Sequence, residues 1–276
     1  MDPFVQTNER YLSIHQWEKL NPDLVTGFTT RNGGQSTFPY HSLNMGFHVG
    51  DNEKDVWENR KRLAKDIKVP LSNWIGSEQV HEATIQRVTR TDAGKGSADL
   101  NTAVSETDGL YTFDTNLLLT SLYADCVPLY FFAPDAGAVG LAHAGWRGTV
   151  KGIATKMVHQ WIKEGISQEE IKVAIGPSIS KKMYEVDKKV IKEIQSCLPK
   201  NVDCLPYQEL SNEKYLLDLR EVNKILLIQE GIKPSNILVS NICTSLDEQM
   251  FSHRAENGKT GRMMSFIGLR SGGALE

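Results

Sequence analysis

No stretch of this 276-residue chain approaches the roughly 20 consecutive apolar residues that a membrane-spanning helix requires. Cysteine is sparse: Cys126, Cys197, Cys204 and Cys243 stand apart, with no Cys-x-x-Cys spacing, which argues for reduced thiols over a disulfide framework. Excess charge is missing too. The 31 basic residues against 34 acidic ones leave a net −3, so neither a nucleic acid nor an acidic membrane surface is expected as a partner. The opening residues, MDPFVQTNERYLSIHQW, have neither the basic start nor the apolar core of a secretory signal, and the expectation is a cytoplasmic protein with reduced thiols. Histidine is scarce, with seven in all and no His-x-His pair. Multicopper oxidases build their copper cluster from several such pairs, so that class lacks its ligands here. No repeat, low-complexity tract or long linker divides the chain.

What is present fits one large soluble domain. Hydrophobic residues make up 40% and charged residues 24%, enough apolar surface for an ample core. VTGFTTR (25–31) reads as a strand ending at Asn32-Gly33-Gly34, and a long glycine- and serine-rich loop follows through Asp51. Loops of that length are functional or disordered, and its Phe38, Tyr40 and Phe47 argue against disorder. Residues 53–68 read as a charged helix and 83–90 as a half-buried strand. LLLTSLY, VPLYFFA and AVGLAHA (117–123, 127–133, 138–144) are near-continuous apolar runs, the mark of strands buried on both faces. Val150, Ile153, Ala154, Met157, Val158, Trp161 and Ile162 recur at helical spacing, with Gly165 as a stop. A strand over 171–176, a capped helix starting at Asp218 with Glu221, and closing strands at 236–242 and 262–268 complete the pattern. Strands and helices mix without regular βαβ alternation, which predicts an α+β fold, a single domain over 1–276.

Three residues stand where strands would begin or end: His81 in EQVHEATI, Cys126 in ADCVPLYF and His143 in LAHAGWRG. Two imidazoles and a thiolate would leave one position of a tetrahedral zinc open, as in catalytic zinc sites. Spacing alone leaves the plainer alternative that these are packing residues. Asp125, beside Cys126, would either orient a histidine from behind or cap a turn. Gly145-Trp146-Arg147-Gly148, between a strand and a helix, is either an anion site or an ordinary turn with an exposed arginine. Arg31 and Arg254 are further candidate cations. His15 and His159 have no evident partner.

QVH (79–81), ADC (124–126), HAGWRG (143–148), AIGPSI (174–179), MFSHRAENGKTGR (250–262) and SLNMGFHVGD (42–51) together resemble the YfiH/YlmD family, the "laccase domain" proteins, over about residues 25–269. Members are described as zinc-dependent purine nucleoside phosphorylases with adenosine deaminase activity. The resemblance implies a layered α/β/β/α sandwich, a fold shared with a bacterial toxin deamidase. It implies one zinc per chain on His81, Cys126 and His143, with copper entering only adventitiously through its higher affinity. It further implies Cys126, His143 and Asp125 as catalytic residues, with Glu78 and Asp108 as other candidate proton carriers. Arg31, Ser42, Asn44, Gln79 and Arg147 would line a pocket for purine nucleosides and phosphate. The implied reactions are phosphorolysis of adenosine, inosine, guanosine and methylthioadenosine, and deamination of adenosine to inosine. A cysteine hydrolase with Cys126 as nucleophile and His143 as base, acting for example on peptidoglycan precursors, is the competing reading. Two positions depart from the family pattern: Glu82 where glycine is usual, and Ala255 where a second arginine is common.

Overall fold

The protein is described by a computed structural model covering residues 1–202 and 204–272. Two six-stranded sheets face each other. The first runs Val5–Gln6, Tyr11–Ser13, Leu24–Thr29, Met263–Leu269, Leu117–Tyr123, Trp74–Gly76. The second runs Ile237–Val239, Lys172–Ile175, Val127–Ala133, Ala138–Ala144, Gly109–Thr112, Ile85–Arg87. A three-stranded sheet of Glu185–Asp187, Lys214–Leu217 and Tyr207–Glu209 stands beside them.

The near-continuous apolar runs are explained by burial on both faces. Leu117, Leu119 and Tyr123 point between the sheets to meet Tyr130, Phe132, Val139 and Leu141. Leu118 points the other way, onto Leu63 and Ile67 of the helix Glu53–Ile67. On the second sheet Leu129, Phe131 and Ala142 turn outward under Met157, Trp161, Val222 and Leu226 of the helices Ile153–Lys163 and Leu219–Gln229. The layers are therefore helix, sheet, sheet, helix, as the resemblance implied.

Sequence and structure differ in three places. The helix expected to run unbroken from Val150 is split into Trp146–Val150 and Ile153–Lys163, because Gly152 adopts a left-handed φ of 76° that no helix interior holds. The strand expected over 83–90 shrinks to Ile85–Arg87, and the one over 236–242 to Ile237–Val239. The loop 31–51 holds only one short turn of 3₁₀ helix, Phe47–Val49, and takes its order from the helix behind it. The buried Asn59 donates to Ser36 Oγ (2.9 Å), Ser42 O (3.1 Å) and Asn44 O (2.9 Å), and Arg60 donates to Met45 O (3.0 and 2.7 Å). No helix among the described residues is long and apolar enough to cross a membrane.

The chain passes from the first sheet to the second between Tyr123 and Val127. Asp125, at φ 87°, makes that tight crossing and so lifts Cys126 to the open end of both sheets.

Candidate metal centre

His143 lies on the strand Ala138–Ala144 opposite Pro128, next to the crossing that carries Cys126. His81 arrives on the loop before Ile85–Arg87, with a left-handed φ of 61°. One potential ligand atom from each of His81, Cys126 and His143 lies within 4.8 Å of the other two. Across the described residues, this is the one group of three or more His, Cys, Asp or Glu side chains so arranged. His81 is exposed, Cys126 half-buried and His143 buried, so the group opens outward on the His81 side.

One carboxylate organises two of the three. Asp108 has a side-chain exposure of 0%, and its Oδ1 pairs with His143 Nδ1 at 2.8 Å. Its oxygens also accept the backbone N–H groups of Val80 (3.2 Å), His81 (3.1 Å) and Glu82 (2.9 Å), fixing the turn that presents His81. Burial would raise the Asp108 carboxyl, but His143 and these N–H groups outweigh it and hold it below the ordinary carboxylate value. With Nδ1 held by Asp108, His143 turns Nε2 toward the shared space, the usual support of a metal-bound histidine.

The electrostatics of the thiol follow. Burial pushes Cys126 up, yet the charge on His143 and hydrogen bonds with His143 and His81 bring it down to about 6. Burial pushes His143 down, while Cys126 and Asp108 lift it to about 9. The site therefore favours a thiolate beside positive charge.

Gly145 keeps the space between the three ligands free. A Cβ there would stand 3.2 Å from Cys126 Sγ, 3.3 Å from His81 Cδ2 and 3.7 Å from His143 Cε1. A thiolate, two imidazoles of which one is oriented by a buried carboxylate, and a gap that a Cβ at Gly145 would crowd together fit a metal ion. Gly148, a turn later, lets the helix Trp146–Val150 press against the His81 loop, since a Cβ would lie 2.9 Å from Glu82 O.

Of the two parts weighed for Asp125, orienting a histidine and holding a turn, the structure gives it the second, and the orienting carboxylate is Asp108. The Asp125 carboxylate accepts from Thr244 Oγ1 (2.6 Å), Ser252 Oγ (2.8 Å) and the Arg254 N–H (2.7 Å). Those three donors tie the crossing to the segment 244–254.

The ligand group sits in the wall of a cavity of about 560 Å³. Leu100, Leu122, Trp146, Ile179, Tyr184 and Leu219 form its less polar surface, and Glu78, Gln79, Asp125, His48, Arg254 and Arg262 its polar one. Gln79 lines the cavity as expected, with its amide spent on Leu122: Nε2 donates to the carbonyl at 2.9 Å and Oε1 accepts the N–H at 2.8 Å. Arg31, Ser42 and Asn44 stand outside the lining. Arg31 donates to Glu256 (3.0 Å), His41 O and Met250 O and stacks on Phe251, so its charge is already neutralised. Ser42 Oγ bridges Gly34 N and Arg31 O. The buried Asn44 receives the N–H groups of Gly46 and Arg262 and donates to Asp51. Arg147 is exposed, its guanidinium 4.6 Å over the Trp146 ring, and also lies outside the lining. His48, Tyr184 and Arg262 line the cavity without having been singled out one by one, although His48 and Arg262 lie inside the stretches 42–51 and 250–262 that carry the family resemblance.

Residues 25–270 match the family described as multi-copper polyphenol oxidoreductase laccase. The chain belongs to this laccase-domain family. Within it, the chain is 51% identical over 248 residues to the purine nucleoside phosphorylase YlmD of Geobacillus stearothermophilus, covering 89% of this chain and 90% of that protein. It is 43% identical over 273 residues to the purine nucleoside phosphorylase YlmD of Bacillus subtilis strain 168, covering 97% and 98%. The crystal structure of YlmD from Geobacillus stearothermophilus superposes with a TM-score of 0.94 at 48% identity, over 98% of this chain and 100% of that one. The single three-ligand group leaves a multicopper cluster without donors among the described residues.

Proposed function

We propose that this protein is a zinc-dependent purine nucleoside phosphorylase that also deaminates adenosine. The observation that carries this reading is the His81–Cys126–His143 group, the one such group among the described residues, set into a cavity with an apolar wall and, in Arg262, a cation that no carboxylate pairs. The YlmD relatives, named purine nucleoside phosphorylases, supply the reaction class. The donor set suits zinc, since two imidazoles and a thiolate leave a fourth position open. Zinc held there would act as a Lewis acid toward an oxygen ligand and lower the pKa of water.

In phosphorolysis an oxygen of hydrogen phosphate bonds to C1′ of the ribose. The C1′–N9 bond breaks with its electron pair passing to the purine, and the phosphate proton ends on the base. Ribose 1-phosphate and free base leave. The protein's own contribution is to bind, orient and dehydrate. Trp146, Tyr184, Ile179 and Leu219 give the purine a less polar part of the cavity wall, of the kind that small-molecule sites present. Asp108 holds His143 and the His81 turn rigid, so no reorganisation is needed when substrate arrives. Gln79 fixes the Leu122 backbone at the cavity wall. Arg31, Ser42 and Asn44 act at one remove by shaping the loop 31–51, and Arg147 draws anions from outside the lining. Glu78, in the cavity lining, is the carboxylate left for proton transfer during deamination, since the oxygens of Asp125 are held by Thr244, Ser252 and Arg254. The substrate range we expect is adenosine, inosine, guanosine and methylthioadenosine.

A second reading has its own observation. Asp108, His143 and Cys126 also form the carboxylate–imidazole–thiol sequence of a cysteine hydrolase, with a depressed thiol. Product analysis separates the two. Adenosine incubated with the protein should give adenine and ribose 1-phosphate only when phosphate is present, and inosine with or without it. Failure to consume either adenosine or inosine under any phosphate concentration would refute the nucleoside reading.

A further inference from the structure

Arg262 is the cavity's cation without an anion. It opens the strand Met263–Leu269, and its main-chain N–H is fixed by Asn44 Oδ1 at 2.9 Å. Its side chain packs along Gly46, where a Cβ would stand 3.0 Å from Cγ, so glycine makes the room for it. The guanidinium donates through Nη1 to two carbonyls, Thr260 O and Gly261 O, both at 3.0 Å. Its Nε and Nη2 have no hydrogen-bond partner, and no carboxylate pairs with it, among the described residues. Asp125, the acid of the cavity wall whose charge acts on Arg262, has its oxygens committed to Thr244, Ser252 and Arg254.

The other arginines near the site are accounted for. Arg31 is neutralised by Glu256, and Arg147 is exposed on Trp146. Arg254 is exposed, donating to Met183 O and Glu185 O. Arg262 alone combines partial burial, a place in the lining and a free edge. Burial lowers its pKa below the ordinary guanidinium value, while Cys126 and Asp125 pull the other way. A half-buried cation held against solvation with two donors unspent is costly until an anion arrives. A guanidinium's planar fork matches a phosphate's geometry through two parallel N–H···O bonds.

We propose that Arg262 binds the attacking orthophosphate, its Nε and Nη2 taking two phosphate oxygens in the cavity that also holds His81, Cys126 and His143. This assignment rests on the phosphorolytic reading and gives its anion a residue. The contact leaves two phosphate oxygens free, one of which forms the bond to C1′, with the electron pair of C1′–N9 and the phosphate proton passing to the base.

The test uses the full-length, zinc-loaded protein. Inosine cleavage is followed at varied phosphate for wild type, Arg262→Gln and Arg262→Lys, with zinc content and thermal midpoint checked for each. Losing a charge-assisted pair is expected to raise the phosphate KM by about 10- to 100-fold in Arg262→Gln, with the inosine KM much less affected. Arg262→Lys, which keeps the charge and loses the fork, should fall between. An unchanged phosphate KM in zinc-replete Arg262→Gln would overturn the assignment. Should the variants not fold, phenylglyoxal labelling of the wild type decides: orthophosphate should protect Arg262, and unprotected Arg262 refutes it. If wild type cleaves inosine without need of phosphate, the phosphorolytic reading has failed. Calorimetric titration with orthophosphate then tests Arg262 by itself, with equal binding to wild type and Arg262→Gln counting against it. Inosine 5′-monophosphate distinguishes the other source of a phosphate group. A preference for it over inosine that Arg262→Gln abolishes, with the orthophosphate KM intact, would overturn the proposal.

Discussion

At the scale of residues, Cys126 carries the heaviest chemical load, and two readings assign it different states. As a ligand its lone pair is committed to the metal. As a nucleophile its thiolate, favoured by a value near 6, is free to react from the start. Iodoacetamide followed by peptide mass analysis, with and without prior chelation, tells them apart. We expect Cys126 to be protected in the zinc-loaded protein and labelled after chelation. Rapid labelling of the loaded protein with matching loss of activity would favour the hydrolase. In the sequence, the trio His81, Cys126 and His143 was named by the family resemblance, since position at strand ends alone left packing as the alternative, and the fold brings the three together. Asp108 appeared there only as one carboxylate among several. Its place in a buried hydrogen bond to His143, 35 positions away, depends on how the strands Gly109–Thr112 and Ala138–Ala144 pair. The pairing of Arg31 with Glu256, 225 positions away, is hidden for a similar reason, because no local pattern announces it.

At the scale of elements, periodicity located the strands and helices well wherever burial was on both faces or on one clear stripe. It overran where a single backbone angle decides, as at Gly152. The Gly145–Gly148 turn shows how an element serves the site through what it omits. It was weighed in the sequence as an anion site at a helix start. The helix that follows has only five residues, and its glycines act sterically, one on the ligand trio and one on the His81 loop. Gly145 has an ordinary φ of −62°, so alanine there costs nothing in backbone conformation. Its Cβ would instead crowd Cys126 and His81. We therefore expect Gly145→Ala to keep a near wild-type thermal midpoint in the metal-free protein. Its zinc affinity, measured by competition with a chromophoric chelator, should fall by roughly tenfold or more, the scale on which altered ligand surroundings are felt. Wild-type zinc affinity in this variant would show that the gap at Gly145 has no part in binding.

At the scale of the whole molecule, two sheets with helices outside both put the strand ends of one sheet beside those of the other. The crossing at Asp125 and Cys126 is where the chain passes between them. Among the described residues that architecture assembles one such group, His81, Cys126 and His143. The central claim is that a single zinc at this group supports phosphate-dependent cleavage of purine nucleosides. It is tested most directly by titrating zinc into chelated protein and measuring hypoxanthine release from inosine in the presence and absence of phosphate. The account predicts release that requires phosphate and rises in proportion to zinc, levelling at one equivalent per chain. Release that persists in the chelated protein, proceeds equally without phosphate, or returns with copper and not with zinc would contradict it.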